Sequence, residues 1–279
     1  MQQFAGRVAA ITGAGSGIGR ALAQRLAADG CHLALSDINA DAVAATAAEL
    51  ASKGVKITTT TLDVADEAAV YAWADAVVTD HGKVNLIFNN AGVALSGTVA
   101  ELDLDDYRWI VDVNFWGVVY GTKAFLPHLE ASGEGHVINI SSIFGLAAQP
   151  LMSGYNATKF AVRGFTESLR QELDISASPV SSTCVHPGGI KTNIARAARM
   201  HLSSSTLTGQ DNAKATSEFE KSFITTPDKA AKTILDGVRK DRRRVLIGPD
   251  ARIFDGLSRL SPGGFQRLTT AVFKSRSGK

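Results

Sequence analysis

The run VAAITGAGSGIG at residues 8–19 joins a short apolar segment to a glycine-rich turn, and a helical pattern begins where it ends. Glycine tolerates the positive φ angles and the close backbone approach that a tight strand-to-helix turn requires. The first turn of the helix offers free N–H groups and the positive end of its dipole, which favour a bound pyrophosphate. Gly13, Gly17 and Gly19 have the spacing G-x-x-x-G-x-G rather than the generic G-x-G-x-x-G. We therefore predict a dinucleotide site because the turn lies between a strand and a helix, and not because its glycines match the generic motif.

Apolar runs alternate with helical patterns along the rest of the chain. Further runs typical of buried strands lie at residues 32–37, 56–64, 84–90, 136–142, 179–187 and 243–248. Such alternation indicates crossover connections between parallel strands. We therefore predict an α/β fold with a doubly wound, Rossmann-type parallel sheet of about seven strands and helices on both faces. We expect a single dinucleotide-binding domain over residues 1–250, with a loop excursion beside the site at about 194–226 and a C-terminal extension over 251–279.

Composition sets limits on the kind of protein. Of the 279 residues, 45% are hydrophobic and 20% are charged, which is ordinary for a globular chain. Cys31 and Cys184 each lie within a predicted strand and have no CxxC partner, so we expect core thiols in a reducing, cytoplasmic location. The absence of a long apolar stretch predicts no transmembrane segment, and the histidine spacing predicts no metal site. We expect no nucleic-acid partner.

Asp37 ends the second predicted strand and bears on cofactor choice. A carboxylate at this place can accept hydrogen bonds from both adenosine ribose hydroxyls and would repel a 2′-phosphate. Ser16 and Ile38 provide no cation that would reverse the preference. The sequence thus favours NAD, with NADP as the alternative. A different interpretation makes Asp37 a cap for the next helix, although it lies slightly too early for that role.

Tyr155 and Lys159 are four residues apart at the start of a helical stretch. This spacing puts the two side chains on one face, one turn apart. A phenol titrates near 10, and a neighbouring ammonium favours the phenolate, so we expect Lys159 to lower the pKa of Tyr155. A tyrosine tuned in this way could exchange protons as a general acid or base.

Seven motifs occur in one order along the chain. They are TGAGSGIG (12–19), Asp63-Val64, Asn89-Asn90-Ala91-Gly92, Asn114, NISS (139–142), YNATK (155–159) and Pro187-Gly188. The set resembles the short-chain dehydrogenase/reductase family in its shorter, single-domain branch, well over residues 5–195 and more loosely to about 250. The resemblance implies hydride transfer between a nicotinamide cofactor and an alcohol or ketone. It also implies a homodimer or homotetramer formed through the helices that contain Asn114 and Tyr155.

The resemblance implies a role for each catalytic residue. Tyr155 resembles the acid/base, and Lys159 would lower its pKa and bind the nicotinamide ribose. Ser142 matches the serine that holds the substrate oxygen, with Ser141 the less favoured choice. Asn114 matches the asparagine that anchors a water and so links Lys159 to solvent.

The resemblance also implies the cofactor contacts. Asp63 would bind the adenine amino group beside the Val64 backbone, and Ile190 and Thr192 would contact the carboxamide. The full cofactor set comprises Gly13, Ser16, Gly17, Ile18, Gly19, Asp37, Asp63, Val64, Asn90, Ala91, Gly92, Tyr155, Lys159, Pro187, Gly188, Ile190 and Thr192. His186, just before the Pro-Gly turn, departs from the family pattern, and we assign it a structural role.

The expected substrate is a hydrophobic secondary alcohol or ketone. Besides Ser142, the positions that line the pocket in relatives are Ala94, Phe144, Gln149, Met152 and Gly189, and most of them are apolar. Two alternatives stay open: an NADP(H)-dependent ketone or 3-oxoacyl reductase, and a non-catalytic protein that senses dinucleotides.

The C-terminal extension is basic and amphipathic. From Lys240 onward ten Lys and Arg residues face three Asp and Glu residues, whereas the whole chain carries a net charge of +2. Such helices can lie on a membrane surface, but packing against the parent domain or a neighbouring subunit is the commoner arrangement.

Overall fold

The fold is described from a computed structural model that covers residues 1–204, 217 and 223–277. Nine strands are present within these ranges: β1 (Val8–Thr12), β2 (His32–Asp37), β3 (Ile57–Thr61), β4 (Leu86–Asn89), β5 (Leu95–Ser96), β6 (Gly135–Ile140), β7 (Val180–Pro187), β8 (Arg199–Met200) and β9 (Arg244–Ile247). The helices are α1 (Gly17–Ala28), α2 (Ala40–Leu50), α3 (Glu67–His81), α4 (Leu104–Val111), α5 (Gly117–Ala131), α6 (Ser153–Ile175), α7 (Pro227–Arg239), α8 (Pro249–Leu260) and α9 (Pro262–Ser277).

Seven of the strands form one parallel sheet in the order β3-β2-β1-β4-β6-β7-β9. All five residues of β1 are buried, and successive side chains point to opposite faces. On one face Ile11 packs in a cluster that includes residues of α1 and α7, and on the other Val8 packs in a cluster that includes residues of α3 and α5. The predicted doubly wound sheet of about seven strands is confirmed.

The site is positioned by the strand order. The chain winds outward from β1 in one direction through β2 and β3, and in the other through β4, β6, β7 and β9. In such sheets a crevice opens at the carboxyl ends of the strands where the winding reverses. The glycine-rich turn after β1 and the segment after β4 border this crevice.

The helical segment that contains Asn114 is interrupted. Helices α4 and α5 are separated by a π-helical turn over Asp112–Trp116. Asn114, within this turn, is fully buried, and its amide pairs with the backbone of Val93. A wider turn of this kind is a common feature of functional sites, and here it accompanies the docking of Asn114 on a distant segment.

The two ends of the predicted excursion lie side by side. Ile190 forms an isolated parallel bridge with Thr225, and β8 pairs with β5 in a second small sheet. Residues 205–216 and 218–222 of the excursion lie outside the described residues. These pairings hold residues 189–204 beside the crevice.

The last two helices follow β9 directly. Helix α8 begins at Pro249 and so spans the boundary that we placed after residue 250. Its Ala251 and the Phe265 side chain of α9 are buried against neighbouring residues. Among the helices in the described ranges, none has the length and apolar character needed to cross a bilayer.

Candidate active site

The glycine-rich turn adopts a conformation that side chains would block. Gly13 and Gly17 have φ angles of 64° and 53°. A Cβ at Gly19 would lie 2.1 Å from the Gly13 carbonyl oxygen, and one at Gly13 would lie 2.9 Å from the Ala91 Cα. The helix α1 therefore begins with its N-terminus open to the crevice, as a pyrophosphate cradle requires.

Asn90 and Thr12 hold the turn against the segment that follows β4. The Asn90 side-chain amide donates to the carbonyl oxygens of Thr12 and Gly13, at 2.9 and 3.2 Å. The Thr12 hydroxyl in turn accepts from the backbone N–H groups of Asn90 and Ala91, at 2.9 and 3.0 Å. These bonds fix the floor of the crevice.

Asp37 ends β2 and lines the crevice near the glycine-rich turn. One carboxylate oxygen accepts from the Gly15 N–H and the other from the Asn39 N–H, each at 2.9 Å. The cap of α2 is Asn39, whose side chain accepts from the Ala42 N–H. Asp37 is thus not the cap of that helix, and its oxygens keep further lone pairs that face the cavity.

Tyr155 and Lys159 lie in the first two turns of α6, beside the end of β6. The Lys159 Nζ is 5.5 Å from the centroid of the Tyr155 ring and donates to the Ile140 carbonyl oxygen at 3.0 Å. Ser142 follows β6, and its hydroxyl accepts from the Phe144 N–H at 3.1 Å. The Ser141 hydroxyl instead donates to the Lys159 carbonyl oxygen. The Ser142 hydroxyl also forms a hydrogen bond with Tyr155, so these two side chains face one another, while Ser141 supports the backbone of α6.

The expected lowering of the Tyr155 pKa is wrong for this structure. Burial raises the pKa of Tyr155 to about 12, and hydrogen bonding to Ser142 only partly opposes the shift. Burial also lowers the pKa of Lys159 to about 8, so the ammonium is itself destabilised. The buried ammonium of Lys159 stabilises a Tyr155 phenolate less than the helical spacing suggested, because burial removes the hydration of both charged groups.

Asn114 lies behind the cavity rather than in its wall. Its carbonyl oxygen accepts from the Val93 N–H at 2.8 Å, and its NH₂ donates to the Val93 carbonyl oxygen at 2.9 Å. A Cβ at Gly92 would lie 3.2 Å from the Asn114 Oδ1 and 3.5 Å from the Lys159 Nζ. Asn114 and Lys159 thus border the same space beside Gly92.

His186 occupies a buried position at the end of β7. Its Nδ1 lies 3.1 Å from the Ser142 carbonyl oxygen, and burial lowers its pKa to about 4. A neutral imidazole that donates from Nδ1 would support the backbone of Ser142 from behind. This geometry agrees with a structural role.

The crevice continues into one cavity of about 690 Å³. Its lining includes nearly all positions that the sequence singled out: Gly13, Ser16, Gly17, Ile18, Asp37, Asp63, Val64, Asn90, Ala91, Gly92, Ala94, Ser142, Phe144, Gln149, Met152, Tyr155, Lys159, Pro187, Gly188, Gly189, Ile190 and Thr192. Gly19 and Asn114 are buried behind it. The arrangement suits a long dinucleotide that extends from the turn after β1 towards Tyr155, with room for a second molecule.

Asp250, at the start of α8, is a site residue that the sequence analysis missed. Its Oδ2 accepts from the Gly189 N–H at 2.6 Å, and its carboxylate occupies the place where a Cβ at Gly188 would lie, 2.1 Å away. The two adjacent glycines after Pro187 are a signal that another side chain fills their space. Asp250 thereby ties α8 to the turn that carries Ile190 and Thr192.

Aromatic residues distant in sequence complete the apolar side of the cavity. Trp109 from α4, Phe223 and Phe254 from α8 all line it. The Phe254 ring packs edge-on against Phe265 at 5.4 Å, and the Arg199 guanidinium stacks 3.6 Å from the Trp109 ring centroid. Nothing in their local sequence indicated these roles, because each reaches the site through tertiary packing.

Comparisons with known proteins agree with this geometry. The chain is 50% identical over 272 residues to SadH of Mycobacterium tuberculosis, which is named as an oxidoreductase; the match covers 97% of this chain and 96% of that protein. It is 39% identical over 187 residues to a 3-alpha-(or 20-beta)-hydroxysteroid dehydrogenase of the same species, covering 67% of this chain and 70% of that one.

A solved structure and a family model lead to the same conclusion. The crystal structure of a short chain dehydrogenase/reductase from Burkholderia phymatum in complex with NAD superposes with a TM-score of 0.86 at 31% identity, covering 94% of this chain and 96% of the other. The family model described as short chain dehydrogenase matches residues 7–203. The chain therefore belongs to the short-chain dehydrogenase family, and it is an oxidoreductase that acts on CH–OH or C=O groups.

Proposed function

We propose that this enzyme transfers a hydride between NAD(H) and a hydrophobic secondary alcohol or ketone, with Tyr155 as the acid/base. The observation that carries the proposal is the cavity itself, which begins at the glycine-rich turn and contains the paired hydroxyls of Ser142 and Tyr155. When bound, the nicotinamide supplies the hydride donor or acceptor.

Ser142 and Tyr155 can stabilise the charge that develops on the substrate oxygen. During ketone reduction negative charge grows on that oxygen, and two hydroxyl donors aimed at it lower the barrier. With a pKa of about 12, Tyr155 is protonated at neutral pH and ready to donate. In alcohol oxidation the Tyr155 oxygen must instead be deprotonated and accept the proton of the substrate hydroxyl, so we expect oxidation to become faster as the pH rises.

Lys159 and Asn114 support proton movement behind Tyr155. The two side chains border the space beside Gly92, and Lys159 has a pKa of about 8, close to the working pH. This juxtaposition supports the relay that the family resemblance implies, in which Asn114 anchors a water that links Lys159 to solvent.

Asp37 supports a preference for NAD over NADP. Its carboxylate faces the cavity beside Ile38, and neither residue offers a positive charge to a 2′-phosphate. The remaining cofactor contacts fit the same orientation. Asp63 and Val64 follow β3, where the adenine is expected, and Ile190 and Thr192 line another part of the same cavity.

The substrate end of the cavity supports an apolar ligand. Around Ser142 and Tyr155 the wall consists mainly of hydrophobic side chains, namely Ala94, Trp109, Phe144, Met152, Ile194, Phe223 and Phe254. Gln149 and Gly189, which the sequence analysis also placed in the pocket, line the same cavity. A flat, hydrophobic ketone would bury more surface here than a charged metabolite.

The test is the Tyr155→Phe variant, with Tyr107→Phe as its matched control. The Tyr107 hydroxyl contacts Ser153 at 2.6 Å and does not line the cavity. We expect Tyr155→Phe to keep NADH affinity, measured by fluorescence titration, and to lose about 10³-fold in turnover followed at 340 nm. The control should stay within a few-fold of wild type. Near-normal turnover in Tyr155→Phe with NADH still bound would contradict the assignment.

The proposal also covers the oligomeric state, the domain boundaries and the cellular location of the protein. We propose a homodimer or homotetramer formed through α5 and α6, which the half-exposed rings of Trp116 and Phe160 support. We propose one domain over residues 1–250, on which α8 and α9 pack. A cytoplasmic location is supported by Cys31 and Cys184, which are buried free thiols.

A further inference from the structure

Helices α8 and α9 have an anchored inner face. Ala251 and Phe265 are buried, Phe254 packs against Phe265, and Asp255 forms ion pairs with Arg244 and Arg259. The expected packing of this segment against the parent domain is therefore present. This packing covers only the inner side of each of the two helices.

The outer face of the same two helices is apolar and exposed. Ile253, Leu257 and Leu260 recur at helical spacing on α8, with exposed fractions of 57%, 43% and 86%. Leu268 and Val272 form a second stripe on α9, with 55% and 41% exposed. Of the 14 large exposed hydrophobic side chains in the described residues, five lie on these two helices. Such concentration marks an interaction surface rather than scattered surface residues.

The C-terminal part of the chain, which carries this apolar face, is rich in positive charge. Residues 240–279 contain ten Lys and Arg residues and three Asp and Glu residues, a formal balance of 10 − 3 = +7, so residues 1–239 carry 2 − 7 = −5. Each of the three acids is engaged within the domain: Asp241 pairs with Arg170, Asp250 with the Gly189 N–H, and Asp255 with two arginines. Arg252, Arg259 and Arg267 are exposed.

The positive charge of this segment favours an anionic membrane over a second copy of the chain as the partner of the apolar face. A second copy that docked through the same face about a two-fold axis would bring two patches of like charge together, which is unfavourable. An anionic lipid surface complements the cations, and its acyl boundary accepts the apolar stripes.

We propose that helices α8 and α9 dock this enzyme on an anionic membrane surface. The inner face of α8 contributes Asp250 and Phe254 to the cavity, so the docked helix would lie between the bilayer and the active site. A hydrophobic alcohol or ketone dissolved in the membrane would then reach the cavity over a short path. Membrane docking itself does not depend on the proposed reaction.

The test is flotation of the full-length enzyme with vesicles of phosphatidylcholine alone and with vesicles that also contain phosphatidylglycerol. Substitutions suit this test better than truncation, because removing α8 would also remove Asp250 and Phe254 from the cavity. Leu260→Asp is compared with Ile175→Asp at the end of α6, since both side chains are 86% exposed. Thermal melts verify that both variants stay folded.

We expect the wild type to float with the anionic vesicles and to dissociate at high salt. Leu260→Asp should weaken this partitioning roughly tenfold or more, and Ile175→Asp should leave it unchanged. Three outcomes would overturn the proposal: no flotation of the wild type, equal flotation with both vesicle types, or equal losses in both variants. If the wild type does not float and Leu260→Asp converts a dimer to a monomer in sedimentation, the face belongs instead to a contact with a second copy.

Discussion

Replacing Lys159 with methionine should stabilise the enzyme near neutral pH while abolishing its turnover. Lys159 is 4% exposed, and burial lowers its pKa from 10.5 to about 8. At roughly 1.4 kcal/mol per pKa unit, the folded state holds this ammonium at a disadvantage of about 3 kcal/mol. Methionine fills similar volume without a charge and removes that disadvantage.

The substitution also removes a favourable contact. The Lys159 Nζ donates to the Ile140 carbonyl oxygen at 3.0 Å, and leaving that buried acceptor unpaired costs about 1–2 kcal/mol. Lys159→Met should therefore be more stable than wild type by about 1–2 kcal/mol near neutral pH. Turnover should nonetheless be lost, because the variant cannot support proton movement behind Tyr155.

The pH dependence of this difference has a defined sign. Between pH 8 and 10.5 the unfolded chain keeps a proton on Lys159 that the folded chain has released, so the wild type gains stability as the pH rises. The methionine variant lacks this gain. Its advantage should shrink across that interval and become a deficit of about 1–2 kcal/mol near the upper limit, where only the lost hydrogen bond remains.

Urea unfolding followed by circular dichroism measures the effect, with both proteins at one concentration and several pH values. Groups that titrate in both proteins cancel in the difference. A variant less stable than wild type at neutral pH, or a difference that stays flat from neutral to strongly alkaline pH, would show that the buried ammonium is not destabilised as the structure indicates.

Three further predictions concern the cavity. Asp37→Ala combined with Ile38→Arg should change the ratio of NADPH to NADH affinity by about a hundredfold in favour of NADPH, because arginine pairs with a 2′-phosphate. Fluorescence titration measures both affinities, and a wild type that already prefers NADPH would contradict the role of Asp37. Asp250→Ala should raise the KM for NADH about tenfold with a smaller change in kcat, because the Gly189 N–H loses its partner. Asp250→Asn should restore part of the affinity, since its carbonyl oxygen can still accept from that N–H. Equal losses of kcat in both variants would argue against a positioning role for Asp250. Phe254→Ala should raise the KM for a bulky hydrophobic ketone about 10- to 100-fold and leave that for NADH unchanged, and an unchanged ketone KM would remove α8 from the substrate wall.

The sequence predicted those features that depend on neighbouring residues. The alternation of apolar runs and helical patterns indicated the parallel sheet, and the glycine spacing marked the turn over residues 13–19. The π-helical turn at Asn114 was not predictable in this way, because it accompanies bonds to Val93, 21 residues away. The direction of the Tyr155 pKa was also wrong, since helical spacing shows that Lys159 is near but not how deeply both groups are buried.

The two ends of the cavity differ in how far along the chain their contacts reach. At the adenosine end Asp37 bonds to Gly15, 22 residues away, within a single strand-helix-strand unit. At the substrate end Asp250 bonds to Gly189, 61 residues away, and Phe254 meets Trp109 and Phe144 only because α8 folds back over the sheet. Exchanging side chains on α8 or in residues 189–204 leaves the strand-helix-strand unit and its hydrogen bonds untouched. Substitutions that change the substrate while keeping cofactor affinity should therefore fall in these two segments. The limits are that Ile190 and Thr192, which belong to the proposed cofactor contacts, stay unchanged and that Asp250 stays in place to hold the turn at Gly188 and Gly189.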